Sequence, residues 1–339
     1  MHVIEIHPSN EQKIILGHLT YSASKLWNVA NYEIIEHGIP LSDLQSKLKD
    51  KFWAKNLHSQ SAQAVLQKLQ IAWINCYKKH TKRPRYQPKD GHFPVRWKQN
   101  GIKVIRNRIR LSLSKHTKQY LKDKYSIESD YLWIDLPKNL SLNGVQEVEI
   151  VPHAIYGHIT YVIHIIYRKE INQTNKSGQN IMAIDFGVSN LATIVTNNLT
   201  AKIYDGRVLV SKFRLLAKKK AVLQSTMNKS KHKTSRKLHY LIIKERNYVK
   251  DYLHKVSTYI VRQAIEEKVG LIAIGNMSYG IVDMDIGAQN NEKLHQIPFG
   301  RLREMIEYKA KEYGIQVITI SEAYTSQTCS VCSTVDKNN

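Results

Sequence analysis

The sequence predicts an α+β fold with a β-rich first half and a second half in which strands and helices alternate. Apolar residues recur at three- and four-residue steps over 11–37 and 59–79, which indicates two amphipathic helices. Runs rich in β-branched residues at 131–168 indicate strands. A polar stretch at 172–180 reads as an inter-domain linker, and strand and helix patterns alternate from residue 181 onwards.

We therefore predict a first domain built as a β-barrel with an inserted helical lobe, an α/β domain after the linker, and a short C-terminal stub. The predicted boundaries are 1–10 and 81–171 for the β-barrel-like, wedge-like domain, 11–80 for the helical lobe, 172–180 for the linker, 181–321 for the α/β domain with a basic helical insertion at 209–268, and 322–339 for the stub.

Local signals place the elements of the first half. Residues 2–6 alternate as in a short strand, and Gly38 and Pro40 are expected to end the first helix. Ser42 is expected to cap the next helix. Further strands are predicted at 131–136, 145–151 and 159–168, where His164 is expected to be a core histidine rather than a metal ligand.

The second half begins with an apolar strand that delivers Asp185, a tight turn at Gly187 and a returning strand that ends near residue 195. An Asp-x-Gly at the end of a strand is only moderately specific. The elements predicted after it are a helix at 239–268, a buried strand at 271–274, a helix at 298–313 and a strand at 316–320.

Net charge limits the classes of partner. The chain has 51 Lys and Arg against 28 Asp and Glu, a formal charge of +23, which favours a polyanionic partner. An apolar run long enough to span a membrane, a secretory signal and a disulfide framework are all missing from the sequence. We expect a cytoplasmic protein with no membrane partner.

The positive charge is concentrated in two segments. Thirteen Lys or Arg and one acid, Asp90, lie between Lys78 and Lys115, and ten Lys or Arg with no acid lie over 212–237. The residues predicted to bind nucleic acid are Lys78, Lys79, Lys82, Arg83, Arg85, Arg96, Lys98, Arg106, Arg108, Arg110, Lys218, Lys219, Lys220, Lys229, Lys231, Lys233, Arg236 and Lys237.

Three aromatic residues among the first set of cations are candidates for stacking on unpaired bases: Tyr86, Phe93 and Trp97. The alternative is that these rings fill a β-sheet core. Arg106, Arg108 and Arg110 are expected to alternate along one side of a strand.

Several motifs together carry a family resemblance. They are the Asp185 strand, the Lys-rich helical insertion, the Asp-Tyr-Leu-His-Lys segment at 251–255 and the Tyr-Thr-Ser-Gln-Thr-Cys-x-x-Cys segment at 324–332. The chain resembles the TnpB proteins, RNA-guided nucleases of insertion sequences with a ribonuclease-H-like (RuvC) domain. The resemblance is clear from residue 181 onwards and weak over 59–73.

In this family three carboxylates hold two divalent ions. The resemblance assigns Asp185 to the first carboxylate, Gly275 to the position of the second, and no residue before Asn339 to the third. No functional catalytic residue is therefore expected, with Asp185 and Gly275 as remnant positions. Mg²⁺ is possible at Asp185 but is not expected to be catalytic, and substitution by Asp283, Asp285 or Glu322 is a less favoured alternative.

The family's zinc site needs two Cys-x-x-Cys pairs. Only Cys329 and Cys332 are present near the C-terminal end, and Cys76 is remote in sequence, so we expect a truncated zinc-ribbon stub whose half site is empty. No cofactor is expected to be required.

Lost carboxylates together with retained basic segments resemble the nuclease-dead TnpB-like repressors. The resemblance implies a transposon-derived protein that binds a guide RNA and a complementary double-stranded DNA target beside a short adjacent motif, and represses transcription. Three alternatives remain: an active TnpB-type endonuclease with displaced carboxylates, a decayed remnant of an insertion sequence, and a conventional DNA-binding protein that needs no RNA. The oligomeric state is not predicted.

Overall fold

The computed structural model describes residues 1–137, 140, 144–155, 158–168, 178–232, 234–276, 296–321, 328, 332 and 334. The chain divides into two compact units, Met1–Lys169 and Glu170–Asn339. Each unit has its own cluster of buried apolar side chains. No helix among the described residues is both long enough and apolar enough to cross a membrane.

The first unit combines helices with two antiparallel sheets. Its helices are α1 (Asn10–His37), α2 (Leu44–Leu48), α3 (Phe52–Lys55), α4 (Ser59–Tyr77) and α5 (Lys115–Tyr125). Its strands are β1 (His2–Ile6), β2 (Val95–Lys98), β3 (Ile102–Ile105), β4 (Arg108–Ser112), β5 (Tyr131–Asp135), β6 (Val145–Ile155) and β7 (His158–Tyr167). The predicted long helices and the strands β1, β5, β6 and β7 are confirmed to within a few residues, whereas α5 was not predicted.

Capping fixes both ends of α1. The Ser9 hydroxyl accepts the Gln12 backbone N–H at 3.2 Å, and the Gln12 side chain accepts the Ser9 N–H at 2.8 Å, which forms a capping box. Gly38 ends the helix in the left-handed region with φ 59°. The predicted cap at Ser42 is wrong, because its hydroxyl donates to the Asp43 carboxylate and no side chain caps α2.

The two sheets of the first unit have the strand orders β1-β7-β6-β2 and β3-β4-β5. Over the described residues neither sheet closes, so the expected barrel is wrong. The helices α1 and α4 contact the edge strand β2, and they bury Leu19 and Leu69 in one core with Val95 and Ile163. The helical segment and the β-strands therefore share a core, since helices rather than further strands cover the sheet.

The second unit is a mixed α/β domain. Its strands are β8 (Asn180–Phe186), β9 (Asn190–Thr196), β10 (Ala201–Asp205), β11 (Val269–Gly275) and β12 (Gln316–Ile320), and its helices are α6 (Arg207–Lys229), α7 (Arg236–Glu266) and α8 (Phe299–Lys311). The sheet order is β10-β9-β8-β11-β12, with the first three strands antiparallel and the last two parallel to β8. This arrangement agrees with the mixed α/β domain predicted after the linker.

Alternation along β8 sets the two faces of this sheet. Met182, Ile184 and Phe186 are buried in a core with residues of α7 and α8, such as Leu253 and Leu302. The intervening residues, including Asp185, lie on the opposite face and are exposed. The strand therefore places the Asp185 carboxylate outside the apolar core.

Candidate nucleic-acid interface and carboxylate position

Asp185 and Gly275 lie side by side in the sheet. Strands β8 and β11 are parallel, and Ile184 pairs with Ile274. The residues that follow them, Asp185 and Gly275, are therefore cross-strand neighbours on the same face of the sheet. Adjacent strands lie about 4.8 Å apart, which is close enough for two carboxylates to share a metal ion. Glycine at 275 offers no ligand there.

The backbone around Asp185 is a compact turn that two glycines permit. A Cβ on Gly187 would lie 2.9 Å from the carbonyl oxygen of Asn190, and one on Gly206 would lie 2.1 Å from the carbonyl oxygen of Val188. The Gly206 N–H donates to the Ser189 carbonyl at 2.8 Å. The turn that presents Asp185 is therefore built from the residues that follow it together with Gly206, and it does not depend on a carboxylate at 275.

Another carboxylate at the end of a strand in this sheet, Asp205, is engaged with Arg207. Asp205 accepts the Arg207 backbone N–H at 2.8 Å and its Nε–H at 3.1 Å. The side-chain hydrogen bond from Arg207 has the largest effect and the backbone hydrogen bond the second largest, and both lower the pKa of Asp205 below its ordinary value. The described residues contain no group of three His, Cys, Asp or Glu that could hold a metal ion, so the described donors do not fit a two-metal centre.

The remaining predicted metal positions are only partly described. Asp283, Asp285, Glu322 and Cys329 lie outside the described residues. Cys332 is exposed, with its Sγ 3.2 Å from the Thr334 hydroxyl. The empty half site for zinc at Cys329 and Cys332 therefore stays a prediction.

In the first unit, the backbone of residues 84–93 (the strap) is held along α1 by side chains of that helix. Asn28 and Gln87 exchange two hydrogen bonds, at 3.0 and 2.7 Å. Donors from α1 also reach three further strap carbonyls, those of Pro84, Arg85 and Lys89, and the Phe93 N–H donates to the Thr20 carbonyl. Because α1 supplies hydrogen-bond partners for these backbone N–H and C=O groups, the strap keeps its conformation without pairing to a strand.

Most basic side chains on the strap and just before it are exposed to solvent. Pro84 and Gln87 are half-buried, whereas the neighbouring predicted nucleic-acid residues are exposed: Lys78, Lys79, Lys82, Arg83 and Arg85. The Arg83 guanidinium lies 5.6 Å from the Trp73 ring centroid. The strap and the chain just before it therefore present several exposed cations, and Asp90 is the single acid in the sequence from residue 78 to 93.

The three aromatic candidates have different surroundings. Tyr86 is 49% exposed on the strap, which leaves its ring available for stacking. Phe93 is half-buried and packs on Trp27 with ring centroids 4.8 Å apart. Trp97 is 1% exposed and donates its Nε1–H to the Ser112 carbonyl, so the stacking prediction for Trp97 is wrong and the core alternative holds.

Cations on the sheets of the first unit are partly neutralised. Arg96 lies 3.1 Å from Glu147 and 3.5 Å from Glu149, while Arg108 lies 2.6 Å from Asp135. Lys98 is half-buried on β2. Because Arg96 and Arg108 are already paired with acids, they are less available to bind a phosphate.

The three arginines near β4 do not share one strand. Arg106 lies in the β3–β4 turn with φ 51°, so the prediction that it alternates with Arg108 and Arg110 is wrong. Arg110 stacks 4.2 Å from the Tyr131 ring centroid and pairs across the strands with Trp133. Sequence reasoning did not connect Tyr131 and Trp133 with Arg110, because the pairing of β4 with β5 has no local sequence signal.

The α6–α7 hairpin carries most of the second basic segment. Exposed cations are Lys218, Lys219, Lys229, Lys231, Arg236 and Lys237. Lys220 is paired with Glu245, with its Nζ 2.5 Å from the carboxylate, so it is less available to a phosphate. Lys233 lies outside the described residues.

Two segments of the chain match models of known protein families. Residues 164–279 match the IS605 OrfB family model, described as a probable transposase, and residues 299–339 match a Cas12f1-like TNB domain. Over these residues the chain is similar to the TnpB/IS605 transposases and to Cas12f-like proteins. The first match contains both Asp185 and Gly275.

Individual relatives cover much of the chain at low identity. The putative RNA-guided DNA endonuclease InsQ of Escherichia coli K12 is 25% identical over 85% of this chain and 68% of its own length. The TnpB-like protein ORF457 of Acidianus two-tailed virus is 22% identical over 96% of this chain and 78% of its own length. Cas12f1 of Syntrophomonas palmitatica is 26% identical over 73% of this chain, which spans 54% of that protein.

A solved structure shares the fold. The protein in the cryo-EM structure of a Cas12f1–sgRNA–target DNA complex aligns with a TM-score of 0.67 at 16% identity, over 97% of this chain and 77% of that one. At this identity the likeness establishes the fold alone.

Within the second unit, residues of the segment 251–255 contact both the sheet and α8. The Tyr252 hydroxyl donates to the Asp205 carbonyl. The Lys309 ammonium donates to the His254 carbonyl and to the hydroxyls of Ser257 and Thr258, at 2.7–2.8 Å, which ties α8 to α7. Burial lowers the pKa of Lys309. The sequence pattern of α8 did not predict that Lys309 would make these contacts with α7.

Proposed function

We propose that the chain is a nuclease-inactive, RNA-guided DNA-binding protein of the TnpB type. The observation that carries the proposal is Gly275 beside Asp185. Two-metal phosphodiester cleavage needs several carboxylates to hold and neutralise two divalent cations. A glycine at the neighbouring strand position removes one ligand, and loss of one member of such a catalytic unit costs most of its rate.

Guide RNA and target DNA are the proposed partners. The relatives' names support them, since InsQ is named for RNA-guided action and the Cas12f1 structure contains sgRNA and target DNA. The charge of +23 and the exposed cations of the strap and the α6–α7 hairpin suit a phosphate backbone. In this mode the guide reads sequence by base pairing, while the protein holds the heteroduplex and reads only a short adjacent motif.

Without cleavage, the outcome of target recognition is occupancy. A stable complex over a promoter would exclude polymerase, so we propose that the chain represses transcription in the bacterial cytoplasm, at the nucleoid. No metal cofactor is required for this action, because binding rests on base pairing and charge.

Sequencing the RNA that co-purifies with the tagged chain tests the proposal. The expected result is one discrete RNA species whose variable end matches a genomic site, together with binding of that DNA only when the RNA is present. Sequence-specific binding after ribonuclease treatment would instead mark a conventional DNA-binding protein. Heterogeneous RNA with no specific DNA binding would mark a decayed remnant.

An active endonuclease is the second candidate. InsQ and Cas12f1 are named as endonucleases, and Asp283, Asp285 and Glu322 are carboxylates outside the described residues. Guide-dependent cutting of the matched DNA in Mg²⁺ would favour this candidate over the inactive protein.

A further inference from the structure

An apolar groove lies on the outer part of the α6–α7 hairpin. Its volume is about 710 Å³, and its floor includes Leu215, Val222 and Tyr240. These three side chains are 47%, 66% and 62% exposed. Among the described residues from 215 to 245, only Leu216 and Met227 are buried, because two helices without a third layer cannot cover both apolar faces.

Cations line the same groove. On α6, Lys218 and Lys219 lie between Leu215 and Val222, at spacings that place all four on one helix face. On α7, Arg236 and Lys237 precede Tyr240 by one helical turn. Within the described part of the chain none of these four cations forms an ion pair, in contrast to Lys220 with Glu245.

An apolar floor lined by four cations limits which kinds of molecule can bind in the groove. A second copy of the hairpin would bring four identical cations against these four, and like charges oppose that pairing. Duplex nucleic acid supplies phosphates, but its base faces are stacked inside and cannot cover an apolar floor. An unpaired strand offers flat apolar base faces together with a phosphate on every nucleotide.

We propose that the hairpin groove binds an unpaired, single-stranded stretch of RNA. Bases lie on Leu215, Val222 and Tyr240, and the flanking phosphates contact Lys218, Lys219, Arg236 and Lys237. Lys244 lies 5.8 Å from the Tyr240 ring centroid. The choice of RNA rests on the proposed function, whereas the preference for an unpaired strand rests on the groove itself.

Fluorescence anisotropy on the RNA-free full-length chain tests this site without guide or target DNA. The probes are a labelled RNA of about 15 nucleotides with no self-complementarity, the same RNA as a duplex, and the DNA single strand of the same sequence. The floor variant is Val222→Asn with Tyr240→Ala, which changes no charge. The control is Tyr259→Ala, an exposed tyrosine on the same helix outside the groove.

The floor variant is expected to weaken single-strand RNA binding about 5- to 30-fold and duplex binding less than about twofold, with Tyr259→Ala unchanged. Lys218→Gln with Lys219→Gln should lower the slope of log K against log salt by about 1.4 for the single strand. Equal losses for single strand and duplex, or no loss in the floor variant, would overturn the proposal. So would a clear preference for the DNA strand, or binding of an acidic amphipathic peptide in place of RNA.

Failure of this site would leave the proposed function standing, since the guide could be held elsewhere. Conversely, a chain that uses no guide could still show the single-strand preference. Circular dichroism of the variants checks that helix content is unchanged, which is expected because the substituted side chains are exposed.

Discussion

Asp185 and Gly275 directly follow Ile184 and Ile274, which pair across the adjacent parallel strands β8 and β11. The cross-strand neighbour of the Asp185 carboxylate is therefore a residue with no side chain. The turn that presents Asp185 is intact, with Gly187 and Gly206 allowing the close approach of backbone to backbone. The two positions therefore lie close enough for side chains on both to share a metal ion, although only Asp185 of the two has a carboxylate. This relationship generates the first prediction.

Replacing Gly275 by Glu should create a divalent metal site. The Gly275→Glu variant is expected to bind Mn²⁺ saturably by titration calorimetry, and a concentration of 100 Kd should stabilise the fold by about 2.7 kcal/mol. Without metal, two adjacent carboxylates repel each other and should destabilise the variant. Adding Asp185→Asn should abolish the binding, and equally tight Mn²⁺ binding by the unmodified chain would contradict the prediction.

Trp97 and Tyr86 should respond to substitution in opposite ways. Trp97→Ala leaves a cavity in the core of the first unit and should cost about 3–5 kcal/mol of unfolding free energy. Tyr86→Ala should change stability by less than about 0.5 kcal/mol but weaken RNA binding about fivefold or more. Urea unfolding and RNA titration separate the two. A stable Trp97→Ala variant that binds RNA poorly would restore the stacking role.

The strap should depend on Asn28. Asn28→Ala removes both hydrogen bonds to the Gln87 backbone and should cost about 1–2 kcal/mol, with faster hydrogen exchange at the Gln87 amide. Glu36→Ala, an exposed change on the same helix, is the control. Unchanged exchange at Gln87 would mean that other contacts alone hold the strap.

The first unit should lose stability in mild acid. Burial lowers the pKa of His18, opposed by its hydrogen bond to Asn56 and reinforced by Lys124, and burial also lowers the pKa of His58 and His92. A histidine whose pKa is lower when folded binds fewer protons in the folded state. Its contribution is therefore complete above the unfolded value of 6.5 and declines as pH falls below it.

Tryptophan fluorescence can follow this loss selectively, because all five tryptophans lie in Met1–Lys169. Urea unfolding at pH 5 should give a smaller free energy than at pH 7.5, and His18→Gln should reduce the difference. The exposed His37→Gln variant should keep it. An identical pH dependence in His18→Gln and the unmodified chain would argue against a role for His18.

Sequence patterns predicted elements whose physics is local. The helix predicted at 11–37 and the strand predicted at 316–320 lie close to α1 and β12, and Asp185 is near a strand end as expected. The barrel was wrong because strand pairing is set by non-local packing of α1 and α4 on the sheet. Trp97 was ambiguous because aromatic residues beside cations occur both in cores and at interfaces.

Other features had no local signal at all. The strap depends on partners about 60 residues apart, such as Asn28 and Gln87, and the Lys309 contacts cross from α8 to α7. The neutralisation of Arg96 by Glu147 and Glu149 likewise requires the β2–β6 pairing. Counting basic residues therefore overestimates the charge that is free to meet a phosphate.

The most direct test of the central claim is a paired assay on the chain reconstituted with its own co-purified RNA. Binding and cleavage of matched and mismatched DNA are measured together in Mg²⁺ and in Mn²⁺, with Asp185→Asn as the control. We predict tight guide-dependent binding, intact DNA, and no difference between the chain and Asp185→Asn. Guide-dependent cleavage that Asp185→Asn abolishes would contradict the account, because it would mean that a nuclease site assembles despite Gly275.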